Sequence, residues 1–246
     1  MLAIPLGDTS SLALLLILAV APSIFLLWFF YNQDRYRHES PKLLAITFLL
    51  GAVMTVPGVI LESIARLFLP QGDTILGVFL FFIFGVALIE EGLKFLAVRI
   101  YAYNSKKFLE PMDGLILGVA AALGFATVEN ILYVIQNGIY TALIRAVISV
   151  PSHAFYGAII GFYLGEAKFR RRPELAIYGL AIVIVLHAIF DTVATVVPSV
   201  IGVVALLAFV LVLYYRVIRG EIREAAAESP FRPGSVRYVV DFHPAE

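Results

Sequence analysis

The chain has 246 residues, of which 61% are hydrophobic and only 15% charged, whereas soluble domains run at about 45–50% apolar and about 25% charged. With a mean hydropathy of +0.94, this composition excludes a soluble globular domain and a disordered chain. Lys+Arg and Asp+Glu each number 18 and cancel, so no global field favours nucleic acid; the lack of cysteine excludes disulfides, iron–sulfur clusters and a cysteine nucleophile.

Crossing about 30 Å of hydrocarbon takes roughly 20 apolar residues in a helix. Residues 9–33 carry no charge and form a first span, with no basic region ahead of it, so it reads as an uncleaved helix rather than a signal peptide. Residues 43–61 form a second, with Glu62 and Arg66 at its far end as an edge ion pair. Residues 74–101 form a third, interrupted by Glu90, Glu91 and Lys94. Residues 114–136 form a fourth, interrupted by Glu129, and the Asn137–Gly138 turn leads into a fifth over 139–165, with Arg145 and His153. In residues 175–215 only His187 and Asp191 are ionisable; at roughly 40 residues, or about 60 Å of helix, this must be two spans, divided at Pro198.

The expected fold is therefore all-α, a polytopic membrane protein of about seven transmembrane helices. Basic residues follow spans one (Arg35, Arg37, Lys42), three (Lys106, Lys107), five (Lys168, Arg170 to Arg172) and seven (Arg216, Arg219, Arg223). The intervening loops have no Lys or Arg, so the positive-inside rule puts the N-terminus outside and the C-terminus in the cytoplasm. Residues 1–218 read as a single transmembrane domain, and 219–246 as a flexible cytoplasmic tail with one short amphipathic helix.

An ionisable side chain at a helix centre costs about 2.5–3.5 kcal/mol on insertion scales, so such groups face the protein interior and suggest function. At about 1.5 Å per residue, Glu90, Glu91, Glu129, His153, His187 and Asp191 fall in one slab near the midplane, on four different spans. Glu90 and Lys94 share a helix face, as do His187 and Asp191, and Glu129 and Tyr133. Glu91 is offset by about 100° from Glu90, so one glutamate is free for chemistry while the other pairs with Lys94. A lone buried histidine is more often a packing residue; His187 with an aspartate one turn on points to a site. Ser149, His153, Gly157, Gly161 and Gly165 form a small-residue stripe, and Gly114, Gly118, Ala122 and Ala126 another, both suited to close helix contact.

Carboxylates and histidines in a half-dry cavity suit hydrolysis: a glutamate takes a proton from water and a histidine stabilises the oxyanion. There is no H-E-x-x-H, although two histidines and carboxylates can form a discontiguous zinc site. Acid and histidine chains at one depth also make proton or ion conduits, but the repeated halves of a transporter are absent.

The strings Glu90-Glu91-x-x-Lys94, Asp113-Gly114, Gly124-Phe125, Glu129-Asn130-x-x-Tyr133, Arg145 ahead of His153-Ala154-Phe155-x-Gly157, and His187-Ala188-x-x-Asp191 occur in that order over residues 84–192. Together they resemble the PrsW family of glutamic-type intramembrane proteases, relatives of the CAAX prenyl endopeptidases. The resemblance implies a multi-pass protein of a prokaryotic cell membrane that cleaves a membrane-bound protein, of the anti-sigma-factor kind. It implies Glu90, Glu91, Glu129, His153 and His187 as essential positions, supported by Lys94, Asn130, Tyr133, Arg145 and Asp191, with no cofactor and no nucleic-acid partner. Departures from the CAAX branch fall at Phe95 (arginine there), Ser149 (phenylalanine) and Asp191 (often asparagine), which makes prenylated peptides the less favoured substrate. Zinc catalysis stands as the alternative, and either member of the Glu90–Glu91 pair could be the base.

Overall fold

The computed structural model describes residues 9–235, with side chains from Leu12 onward. Seven long apolar helices follow one another: α1 (Thr9–Tyr31), α2 (Pro41–Phe68), α3 (Ile75–Ala102), α4 (Pro111–Asn137), α5 (Ile139–Phe169), α6 (Glu174–Val196) and α7 (Val200–Ala227). Each is long enough to span a bilayer, and no strand occurs among the described residues. The chain is thus the expected all-α, multi-pass membrane protein. The break between α6 and α7 comes where Pro198, which has no N–H for a helix ladder, follows Val197 in a non-helical conformation (φ −120°, ψ 61°).

α4 is the central helix and the most deeply buried, with α1, α2 and α5 against it. The physical reason is the size of its side chains. A Cβ on Gly118 would run into Gly157 O and the backbone of Gly161, one on Gly114 into Gly161 O, and one on Gly165 into Pro111. The two small-residue stripes lie on one another, backbone to backbone. On the opposite face Gly51 of α2 meets the Ala121 carbonyl, and Gly124 meets that of Phe48. Thr55 adds a hydrogen bond across this seam, its hydroxyl donating to Phe125 O at 3.2 Å. Large apolar side chains such as Phe25, Trp28, Leu49, Val53 and Ile60 are left on the outside, as a lipid-facing surface requires.

Two wide π turns sit just ahead of the polar residues of α3 and α5, at Ile83–Ala87 and Arg145–Ser149. Such turns are frequent at functional sites because they rotate the following residues relative to a regular helix. In α5 the local cause is Pro151, which donates no N–H and crowds the carbonyl of Val147 four residues earlier.

At the end of the bundle bearing the basic loops, the α1–α2 connection folds over the start of α4. Burial first, then the neighbouring Asp113 and Asp34, push the Glu110 carboxyl up to about 7; burial raises that of Glu39 too. The expected tail at 219–246 is partly ordered: α7 continues to Ala227 with Glu221 buried, and Arg170 ion-pairs with Glu224 at 3.2 Å and Glu228 at 2.5 Å. Ile218 and Ala225, buried in the apolar core, keep this last stretch against the bundle, and the Arg170 pairs lie at its surface. Residues 236–246 lie outside the described residues.

Because no Cβ fits at Gly118, Gly118→Val should destabilise the protein by about 3 kcal/mol or more. Gly92, with nothing within 4 Å of an added Cβ, should gain about 0.5–1 kcal/mol as alanine. Thermal melts in detergent distinguish the two outcomes.

Candidate active site

The polar residues of α3, α4, α5 and α6 meet around one ammonium group. Lys94 Nζ, 1% exposed, donates to Glu90 Oε2 at 3.0 Å and Glu91 Oε1 at 2.8 Å. It also stands 2.9 Å from His153 Nδ1. An ammonium has no acceptor, so His153 Nδ1 must accept and its proton is on Nε2. That Nε2 lies 3.1 Å from Glu129 Oε2. The Phe125 ring closes the remaining side, its centroid 4.6 Å from Nζ. The expectation that one glutamate pairs with Lys94 and leaves the other free is therefore corrected: Lys94 holds both, because spacings of three and four residues both bring a side chain to the same side of a helix.

From this hub two arms extend. On one, Glu91 Oε1 also faces His187 Nδ1 at 2.7 Å, and the other nitrogen of His187 lies 3.4 Å from Asp191. Asp191 thus flanks His187, as the one-turn spacing suggested. On the other, Arg145 Nη2 stands 3.1 Å from the same Glu129 oxygen as His153. Arg145 Nε donates to Asn130 Oδ1 at 2.7 Å, and Asn130 donates to Ala19 O of α1 at 2.8 Å. Asn130 and Tyr133 act on Glu129 through Arg145 rather than directly, since the Arg145 guanidinium lies over the Tyr133 ring at 4.2 Å.

A cavity of about 650 Å³ opens onto this network, lined in part by Glu90, Glu129, His153, His187 and Asp191. Lys94 and Glu91 are not among its walls, and Glu91 is fully buried. The cavity is bordered by Arg66, Gln71, Gln136 and Thr195, all near helix ends remote from the basic loops. It therefore runs from mid-bundle to the end of the molecule opposite those loops.

Several wall residues lie outside the set that the sequence singles out. Glu62 and Arg66, 3.9 Å apart, line the cavity as well as forming the expected edge pair. Tyr156 stacks on His187 with ring centroids 5.3 Å apart. Its position three residues after His153, hence on the same helix face, was the signal available. Phe81 and Phe82 also line the cavity, while Phe84 points outward.

The family model described as PrsW family intramembrane metalloprotease matches residues 39–216. Protease PrsW of Halalkalibacterium halodurans is 38% identical over 184 residues, covering 73% of this chain and 82% of that protein. Protease PrsW of Bacillus subtilis is 35% identical over 179 residues (72% and 80%), and that of Clostridioides difficile 33% over 186 (72% and 77%). No solved structure matches the chain.

The word metalloprotease in that description implies a metal. Glu90, Glu91 and His153 each offer a ligand atom, all within 4.8 Å of one another. The ammonium of Lys94, however, is 2.8–3.0 Å from an atom of each. Zinc would need bonds of about 2.0–2.2 Å to the same donors, and would coincide with Nζ. As arranged, this triad does not fit a metal ion.

Lys94→Met keeps the shape of the side chain and removes the charge. It should cost about 3–5 kcal/mol, because Glu90 and Glu91 are then buried without their cation. Adding Glu90→Gln to that variant should recover part of the loss, read as a positive coupling energy in a thermal double-mutant cycle.

Proposed function

The chain belongs to the PrsW family and is a multi-pass intramembrane protease of a bacterial membrane; from that premise we propose that Glu90 is its general base and that catalysis uses no metal. The observation that carries this is the division of labour between the paired glutamates. Glu90 is a wall of the cavity, whereas Glu91 is shut behind it between Lys94 and His187. Only a carboxylate in contact with the cavity can reach a water there.

In this scheme Glu90 takes a proton from water as the oxygen attacks the scissile carbonyl, and returns it to the leaving amine. His187 and His153 stand in the same wall and polarise the carbonyl or steady the water. Glu91 and Asp191 hold His187, Glu129 and Lys94 hold His153, and Arg145, anchored by Asn130, holds Glu129. Lys94 supplies the positive charge that a bound cation would supply elsewhere, which supports hydrolysis without one.

The substrate is a membrane-bound protein. With the basic loops in the cytoplasm, the cavity faces the outer side, so the peptide bond cut lies in or just outside the outer half of the membrane. The client is of the anti-sigma-factor kind that the family resemblance implies. The transmembrane unit ends near residue 218, and none of the described residues beyond it lines the cavity.

Purified protein in liposomes, given a labelled transmembrane substrate, tests this. Glu90→Gln should lower kcat by about 10²–10⁴-fold with its melting temperature nearly kept. Glu91→Gln should lose activity together with stability, and stringent chelation should leave the wild type active. Loss of activity on chelation, restored by zinc, overturns the metal-free scheme, and a fully active Glu90→Gln overturns the base.

A further inference from the structure

A second concentration of buried acids lies at the opposite end of α4, and the proteolytic reading makes no use of it. Asp34 and Glu39 come from the α1–α2 connection, Glu110 and Asp113 from the start of α4, and each is 3% exposed or less. Arg37 donates to both oxygens of Asp113, at 2.6 and 2.5 Å, and its Nε is 3.5 Å from Glu110. It makes no ion pair with Asp34 or Glu39. Nearby lysines have other bonds: Lys107 donates to Ser40 Oγ at 2.7 Å, and Lys168 to the carbonyls of Tyr103 and Phe108 at 2.6 and 3.2 Å.

Two carboxylate oxygens here are buried with no hydrogen-bond partner among the described residues, Oδ2 of Asp34 and Oε2 of Glu39, whereas Glu110 accepts from the backbone N–H of Asp113. A buried charge is tolerated when it is paired or coordinates a metal. Oxygen atoms of Asp34, Glu110 and Asp113 lie within 4.8 Å of one another. Donors around a hard cation with bonds of about 2.3–2.6 Å have that separation. The active-site triad differs in a decisive way, since there one ammonium touches all three donors, whereas here no side-chain cation among the described residues reaches Asp34.

We propose that Asp34, Glu110 and Asp113 form a structural site for a divalent cation of the calcium, magnesium or manganese class, stapling the α1–α2 connection to the start of α4. All its donors are carboxylate oxygens, which suit hard ions. The site lies about 24 Å along α4 from Glu129. It is a different place from the catalytic network, and it stands whether or not the metal-free scheme holds. Its ion fastens the connection between α1 and α2 onto the helix that carries Glu129, Asn130 and a wall of the cavity.

The probe is Mn²⁺, titrated into the purified full-length chain in nanodiscs. Because the chain has no cysteine, Lys106→Cys or Asn137→Cys carries a single nitroxide label. Lys106 is four residues before Glu110; Asn137 is about 36 Å along α4 from Asp113. A single bound Mn²⁺ should broaden the label at 106, spare the label at 137, and be displaced by excess Ca²⁺. Asp34→Asn should weaken binding by about tenfold or more, and Glu90→Gln should leave it unchanged. No bound Mn²⁺, equal broadening at both labels, or wild-type affinity in Asp34→Asn overturns the site. The label measurement uses unaltered carboxylates, so it decides even if Asp34→Asn fails to fold.

Discussion

The ammonium of Lys94 is fully buried and in contact with two glutamates, a histidine and the face of a phenylalanine. A charge in such a place is tolerable only if its neighbours repay the loss of hydration, and every feature of the network follows from that. Glu90 and Glu91 neutralise it from its own helix, at spacings that a helix makes adjacent. His153 accepts from it across the bundle, which sets the position of that ring's proton and directs Nε2 to Glu129. Glu129 in turn draws Arg145, and Arg145 draws Asn130. His187 completes the other arm by facing Glu91.

This arrangement demands that four helices keep their relative positions closely. The glycine and alanine stripes meet the demand. Between α4 and α5 there is no room for a Cβ at Gly114, Gly118, Gly157 or Gly161, so the backbones rest on one another and the side chains of Glu129 and His153 are brought within ion-pair distance. In a bilayer, where lipid is as apolar as leucine, helix association depends on such close packing. The polar network around Lys94 and the small-residue seam are two parts of one requirement: polar groups must be satisfied inside, and they can be only if the helices come close. Buried acids at the basic end of α4 pose the same requirement with less internal compensation, and there a bound cation takes the part that Lys94 plays at the centre.

Much of this was legible in the chain itself. The span boundaries, the division at Pro198 and the depth of the acids and histidines follow from hydropathy, rise per residue and charge. Glycine spacing foretold the α4–α5 seam because residues four apart share a helix face. Less was visible where contact depends on helices remote in sequence. Asn130 was legible as a supporting position through the family resemblance but not as an anchor for Arg145, and it leans in turn on the carbonyl of Ala19, 111 residues away. Glu62 and Arg66 read as an edge pair because nothing in α2 alone says that its inner face borders a cavity. Tyr156 carried no signal apart from its spacing to His153.

By itself the sequence determined that the chain crosses the membrane repeatedly, which residues are too costly to face lipid, and which of them share a helix face. Those properties follow from the 1.5 Å rise and 3.6-residue turn of a helix and from the price of charge in hydrocarbon. The tertiary structure alone decided which of the paired glutamates borders the cavity and which faces His187. Rotation of α3 about its axis, fixed by its neighbours and by the π turn before Glu90, turns one carboxylate to the cavity and the other toward His187. It also decided that an ammonium, supplied by the chain, stands where two carboxylates and an imidazole converge. Neighbouring residues on one helix are equivalent until other helices surround them, and only the packed bundle removes that equivalence.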